Sequence, residues 1–256
     1  NSLKLALCTP KNLIVWQELG KHNRIFHGLA SKFWYSIVAK IGFKKALIVA
    51  RSVQAREFIS KYCKNVSDTI IDHGVNIEKF TPCREKDNQF AISSQLISRK
   101  HIEKSIEAFA KYLNKYDDSA KLYIMGDGDE KENLRKLAKE LGADKNIIFT
   151  GKLGHNELIE ILKKSIAMLV YTEKDNNMVS IVESIALATP VITTDIPYNA
   201  SYIKAEKLGI VNNNWNENDL RKLATSDEYI NNCMNYRKYL PTEYKAEQFL
   251  KVKGLI

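Results

Sequence analysis

YTEKDNNMVSIVESIALATPVITT, residues 171–194, joins two apolar runs through a polar loop and a helix. The first run, Ser165 to Tyr171, has strand length. A polar loop follows, a helical pattern opens at about Met178, and a second apolar run begins after Pro190. Strand, helix and strand in this order form the unit of a parallel sheet with right-handed crossovers. Asp175 and Glu183 flank the helix start. Acidic side chains beside free helix amides suit a ligand that carries both hydroxyls and phosphates. Nucleotide sugars are such ligands.

The same alternation fills the chain. LKLALC (3–8) precedes the aromatic-rich helical stretch HGLASKFWYSIVAKIG (27–42), and ALIVA (46–50) precedes SVQAREFISKY (52–62). DTIID (68–72) leads into a turn at 73–76. Further along, QFAISS (89–94), KLYIMG (121–126), NIIFTG (146–151), IAMLVY (166–171) and PVITT (190–194) read as strands, with a short one at LGIV (208–211). Helical patterns at 102–116, 130–142, 156–165 and 179–188 lie between them, and helices follow from Glu217. The strands are continuous apolar runs, as in a sheet covered on both faces. The expected fold class is α/β, and ligands of such sheets bind beyond the strand C-termini.

The stretch NIEKFTPCREKDN (76–88) is polar, holds Pro82 and breaks the periodicity, so it reads as a linker. Residues 1–75 then form a partial N-terminal domain, 89–240 a ligand-binding C-terminal domain, and 241–256 a helix packing back toward the N-terminal part. A βα sheet of that second size buries a core of its own, while the shorter first part hardly can. It reads as the remnant of a larger domain, and an opening on SLKLALC implies further sequence upstream.

Composition excludes several classes. Apolar residues at 45% and charged residues at 27% over 256 residues describe a globular protein. No run approaches the ~20 apolar residues that span a bilayer. Cys8, Cys63, Cys83 and Cys233 are far apart, which argues against a zinc site or a disulfide framework and for a reducing, cytoplasmic setting. The net charge of +9 admits anionic partners, an acidic membrane surface among them. The lysines alternate with acids, however, and read first as solvated helix faces. No nucleic-acid-binding module is present in the sequence.

Candidate ligand groups lie after the strands. Gly126-Asp127-Gly128 follows KLYIMG, where glycines let a backbone approach a ligand; alone, the triplet is a strand-to-helix turn. Arg99 and Lys100 stand just before a helix, a poor place for cations unless an anion is bound there. Glu183 is either a helix-dipole partner or the acceptor of a ribose diol. Asp175 could accept sugar hydroxyls, with the amides of Asn176, Asn177 and Met178, and Val179 beyond, facing phosphates. His73, His101 and His155 read as loop or helix-start histidines, and no two are spaced as metal ligands.

IDHGVNIEKFTP (71–82), KLYIMGDGDEKENLRKLAKELG (121–142), NIIFTGKLGHNELIEILKKS (146–165) and DNNMVSIVESIALATPVITTD (175–195), in this order, resemble the retaining glycosyltransferases of the GT-B fold, family four, the group-one glycosyl transferases. The resemblance runs from Ile71 to about Val211. It implies a GT-B protein whose C-terminal Rossmann-like domain binds a UDP-, GDP- or ADP-sugar. The family's acidic pair at E-x(7)-E spacing falls on Asp175 and Glu183, for donor sugar and ribose. Its diphosphate-binding lysine falls on Lys100, whereas the arginine five residues earlier is Gln95 here. Two family glycines are His101 and Ala188. Backbone groups around Gly151, Lys152 and Leu153 would read the base, with Gly126 and Gly128 nearby. The resemblance implies transfer with retention to a glycan, lipid-linked or protein acceptor, with no cofactor and no metal. It also implies a location in the cytoplasm, at or near the cytoplasmic membrane face. The family's N-terminal glycine-rich loop is absent from residues 1–75, and His22 and His27 are the candidates for its catalytic histidine. The chain therefore reads as a fragment or one half of a split enzyme, completed by a complementary N-terminal chain. The alternative is a non-catalytic sugar-nucleotide-binding partner subunit, while a GT-B epimerase or hydrolase lacks an identifiable catalytic acid.

Overall fold

The computed structural model describes residues 13–18 and 33–256. The strand expected at 3–8, the first part of the helical stretch 27–42, Cys8, His22 and His27 lie outside the described residues. The chain divides into two units, residues 1–74 with 242–256, and residues 75–241.

The first unit holds a parallel sheet of order β1-β2-β3, formed by β1 (Ile14–Gln17), β2 (Leu47–Ala50) and β3 (Val66–Ile70). Helical segment α1 winds as a π-helix over Trp34–Ala39 and continues as an α-turn, Lys40–Gly42. Helix α2 (Val53–Ser60) starts where Ser52 Oγ accepts the Ala55 N–H at 3.1 Å, the expected N-cap chemistry. Strand β1 has no counterpart in the sequence reading, although residues 13–16, LIVW, form a short continuous apolar run. The last helix, Thr242–Lys253, is tied to this unit. Buried Lys245 Nζ donates to buried Asp72 Oδ1 at 2.5 Å, and Phe249 meets Trp16 edge-on at 5.6 Å.

The second unit carries six parallel strands in the order β6-β5-β4-β7-β8-β9. They are β4 (Gln89–Ser93), β5 (Lys121–Met125), β6 (Ile147–Gly151), β7 (Ala167–Leu169), β8 (Val191–Thr193) and β9 (Gly209–Val211). Helices α3 (Ile102–Lys115), α4 (Lys131–Glu140), α5 (His155–Lys164), α6 (Val179–Ala186), α7 (Asn199–Ala205), α8 (Glu217–Ala224) and α9 (Glu228–Tyr236) complete it. Strand side chains alternate between faces. Phe90, Ile92, Leu122 and Ile124 join Ile106, Phe109 and Leu134 of α3 and α4 in one core. Ala91, Met125 and Met168 join Leu162, Ile181 and Ile185 of α5 and α6 in the other. Two buried faces explain the continuous apolar strands. Helix α7 escaped the sequence reading because it is seven residues long and opens on polar residues after Pro197.

The chain builds outward from β4 in one direction and then from β7 in the other. The strand order therefore reverses between these two neighbours, and in open α/β sheets that reversal leaves a crevice at the strand C-termini. Residues 76–88 are seated on this unit rather than free. Phe80 is buried, and the Cys83 and Asp87 N–H groups donate to Leu187 O at 3.2 Å and Lys164 O at 2.8 Å. Lys86 Nζ reaches Lys163 O at 2.8 Å and Thr189 Oγ1 at 2.9 Å, and burial pulls its ammonium down to about 8.

Gly126 and Gly128 have a structural reason to be glycine. The loop after β5 is zipped to the loop after β4 by Ser94 N–H to Met125 O at 3.1 Å and Leu96 N–H to Asp127 O at 3.0 Å. A Cβ on Gly126, at φ 154°, would stand 1.8 Å from Ser94 O, and one on Gly128 2.3 Å from Leu96 O. The space a side chain needs is already occupied by the protein's own backbone. Gly126→Ala is therefore expected to destabilise the second unit by roughly 3 kcal/mol, read as a lowered denaturation midpoint; an unchanged midpoint would show that this turn has slack.

Candidate functional site at the strand ends

Two loops meet at the reversal point. After β4 the chain makes a 3-10 turn, Ser98–Lys100, and enters α3 through His101 in the left-handed region, φ 42°. After β7 it runs through residues 170–178 and enters α6. Arg99 Nη1 donates to Asp175 Oδ1 at 3.1 Å and to Lys174 O at 3.1 Å, while Lys100 Nζ donates to Asp175 Oδ2 at 2.7 Å. Thr172 Oγ1 donates to the same Oδ2. A backbone bond from Glu173 N–H to Arg99 O at 3.4 Å closes the junction.

Burial works against the Asp175 charge, but the donors from Lys100, Thr172 and Arg99 outweigh it and hold its pKa below the ordinary carboxylate value. The resulting stabilisation is present above the unfolded-state pKa and is lost as pH falls through the folded one. The neighbouring His101 shows the opposite sign. Its Nδ1 lies 2.8 Å from Glu103 Oε1, and Nε2 lies 2.8 Å from Glu173 Oε1 without hydrogen-bond alignment. Partial burial lowers its pKa, and the two carboxylates overcome that and raise it. Its contribution is complete below the unfolded value and fades as pH rises through the folded one.

The start of α6 is held from behind. Asn199, fully buried at the start of α7, accepts the Met178 N–H through Oδ1 at 2.8 Å and donates through Nδ2 to Met178 O at 3.3 Å. Tyr198 N–H donates to Asn176 O at 2.8 Å. The Met178 amide, read from sequence as facing a phosphate, is thus engaged inside the protein, and its side chain is in the core. The first-turn amides of Val179 and Ser180 have no acceptor within their own helix. Glu183, one turn further along α6, stands 3.1 Å from His155 Nε2 at the start of α5.

The structure therefore gathers Arg99, Lys100 and Asp175 into one cluster. It places Glu183 against His155 and sets Asn176, Asn177, Met178 and Val179 at the α6 start. Gln95 and Lys152 are exposed side chains outside the cluster, on the loops after β4 and β6; Gly151 is the last residue of β6, and Leu153 follows Lys152 on the loop. Thr172, His155 and Asn199 were not assigned roles from sequence. Only Thr172, three residues before Asp175, stood where a signal existed. Among the described residues no three His, Cys, Asp or Glu side chains converge as a metal site.

The comparisons with known proteins bear on the family and the fold. The fold is α/β of the GT-B type, the class of the solved glycosyltransferases it matches. Among these, WaaG, involved in lipopolysaccharide biosynthesis, superposes with a TM-score of 0.67 at 18% identity, over 95% of this chain and 76% of that one. Staphylococcus aureus TarM, solved with UDP, Fondaparinux and α-GlcNAc-glycerol, gives 0.72 at 18% identity, over 93% of this chain and 50% of that one. Residues 76–237 match the family described as glycosyl transferases group 1, and the chain belongs to that family. Alpha-monoglucosyldiacylglycerol synthase of Streptococcus pneumoniae is 28% identical over 189 residues, which cover 68% of this chain. The chain spans 42% of that relative's length, 24% of a second curated relative and 34% of a third.

The ion pairs around His101 give a pH prediction. Its imidazole is expected to titrate above the ordinary 6.5 in an NMR pH series, and Glu173→Gln should move it back toward that value. A midpoint at or below 6.5 would refute the carboxylate pairing.

Proposed function

We propose that the chain supplies the donor side of a retaining transfer from a nucleotide sugar to a hydroxyl acceptor. The observation that carries this reading is the Arg99–Lys100–Asp175 cluster beside the α6 start, at the reversal point of the sheet. Two cations and the first-turn amides of α6 form a receptor for a diphosphate, and Asp175 fills part of that charge demand within the protein. A bound diphosphate takes Lys100 and Arg99 from Asp175 and leaves its carboxylate to accept hydroxyls of the donor sugar. Arg99 then supplies the charge that the family's arginine would bring at Gln95. Glu183 accepts the ribose diol. Loss of the diphosphate is eased by the fixed positive groups, whose electrostatic stabilisation grows as the leaving charge develops. UDP is the first nucleotide to test, because TarM and the Anabaena protein HepE were both solved with it.

Calorimetry with UDP, GDP and ADP tests the site directly. Lys100→Ala and Glu183→Ala are expected to weaken the nucleotide that binds by roughly tenfold or more. Asp175→Asn should instead tighten the free nucleoside diphosphate, on the order of tenfold, while lowering turnover of the sugar nucleotide, because a competing anion is removed. Weaker diphosphate binding by Asp175→Asn would remove the competition from the mechanism.

The acceptor side includes an anionic membrane surface in this reading. On α1 and its start, Phe33, Ile37 and Ile41 are 59%, 46% and 63% exposed. Ile41 also lines a groove of about 600 Å³ with Lys40, Lys44 and Lys64, and among the described residues no acidic side chain shares that lining. Apolar side chains ringed by lysines suit the headgroup region of acidic lipids. Ile41→Asp with Lys44→Glu should abolish co-sedimentation with phosphatidylglycerol vesicles at low salt; no sedimentation of the parent chain would remove the membrane from the proposal.

A further inference from the structure

Glu183 is held from outside its own helix, by a residue that the mechanism above does not use. His155 is the first residue of α5, and its Nε2 lies 3.1 Å from Glu183 Oε1. An ionised carboxylate only accepts, so Nε2 carries a proton in this pair. The ring has a fixed seat. Its backbone leaves Gly154, whose N–H donates to Glu157 Oε2 at 3.0 Å, which pins the start of the helix. Its face is bounded by buried Phe80, edge-on at 5.9 Å. The Glu183 side chain is 17% exposed and the His155 side chain 51%, so the pair stands open to a ligand.

A carboxylate on a flexible two-carbon stem can turn to satisfy one hydroxyl in many ways. Accepting two vicinal hydroxyls requires both oxygens in one plane at one angle. With Oε1 anchored, Oε2 and the second lone pair of Oε1 have a set direction. We infer that His155 is a positioning residue that sets the Glu183 carboxylate for a ribose diol, and thereby makes the site select ribonucleoside diphosphates over their 2′-deoxy counterparts. The inference rests on the reading of Glu183 as the ribose acceptor. Its logic is that of polar recognition, since a ligand lacking one hydroxyl leaves a fixed acceptor lone pair unsatisfied. An unanchored carboxylate would relax around the single remaining hydroxyl and discriminate little.

The test is calorimetry on the full chain with UDP, GDP and ADP, then with the 2′-deoxy form of whichever binds best. The parent is expected to prefer the ribonucleotide by on the order of tenfold. His155→Phe keeps a ring against Phe80 but has no donor, and it should reduce that preference to about twofold by weakening the ribonucleotide alone. His155→Gln, which returns an N–H donor at similar reach, should restore most of it. Equal weakening of both nucleotides by His155→Phe would mean a structural role only and overturns the inference, as does a preference that survives the substitution. Glu183→Gln separates the two levels. If it abolishes the preference while His155→Phe does not, the ribose reading stands and the inference falls. If Glu183→Gln also keeps the preference, or the parent binds none of the nucleotides, both fall.

Discussion

One carboxylate joins the two halves of the six-stranded sheet at the point where a ligand would enter. Asp175 comes from the loop after β7, and its partners Arg99 and Lys100 come from the loop after β4. Without an anion between them, two adjacent cations would face each other close to a helix start, where the dipole opposes positive charge. Asp175 removes that conflict and is held ionised by it, despite the burial that favours its neutral form. The arrangement has the electrostatics of an occupied anion site, with the protein's own carboxylate as the anion.

The rest of the second unit can be ordered around this junction. The strand order places β4 beside β7, so their C-terminal loops are neighbours for topological reasons. The backbone zipper through Ser94, Leu96 and the two glycines after β5 fixes the far side of the β4 loop. Asn199 fixes the near side of the α6 start by taking both polar groups of the Met178 peptide. The groups that face the crevice are thus backed by elements that do not face it, as a preorganised site requires.

Much of this was legible in the sequence. Strands buried on both faces announce themselves as apolar runs, and β4 to β9 sit within the runs read as strands. The spacing of Asp175 and Glu183 about one helix start was visible for the same reason, since the loop and helix are contiguous. What escaped depends on long-range placement. Strand β1 sits in a four-residue apolar run, LIVW at 13–16, and a run that short is arbitrated by its neighbours along the sheet rather than by its own pattern. Asn199 lies 21 residues from the peptide it clamps, and nothing in its own neighbourhood marks that duty. The glycines after β5 were legible as positions where a backbone approaches closely, but the backbone that does so belongs to the loop after β4, which no local pattern contains.

The two places where the family resemblance sets a glycine show how backbone conformation outlasts residue identity. His101 and Ala188 stand at φ 42° and 59°, in the left-handed region that glycine enters freely. Ala188 follows the end of α6, where Thr189 N–H reaches Ser184 O at 2.9 Å and Ala188 N–H reaches Ile185 O at 3.0 Å. This double bond pattern is the helix stop that demands a left-handed residue. The Leu187 N–H also reaches these carbonyls, so the whole helix end is tied down, and the chain keeps the turn and accepts a strain of about 1 kcal/mol for a Cβ there. Alanine carries the smallest such group, and it is fully buried in the core beneath β8. At His101 the same strain falls on a residue type that visits this region more readily than most, and its ring recovers contacts to Glu103 and Glu173 that a glycine could not make. One substitution is thus tolerated through packing and the other through charge. In both cases the hydrogen bonds of the surrounding fold, rather than the side chain, decide the conformation.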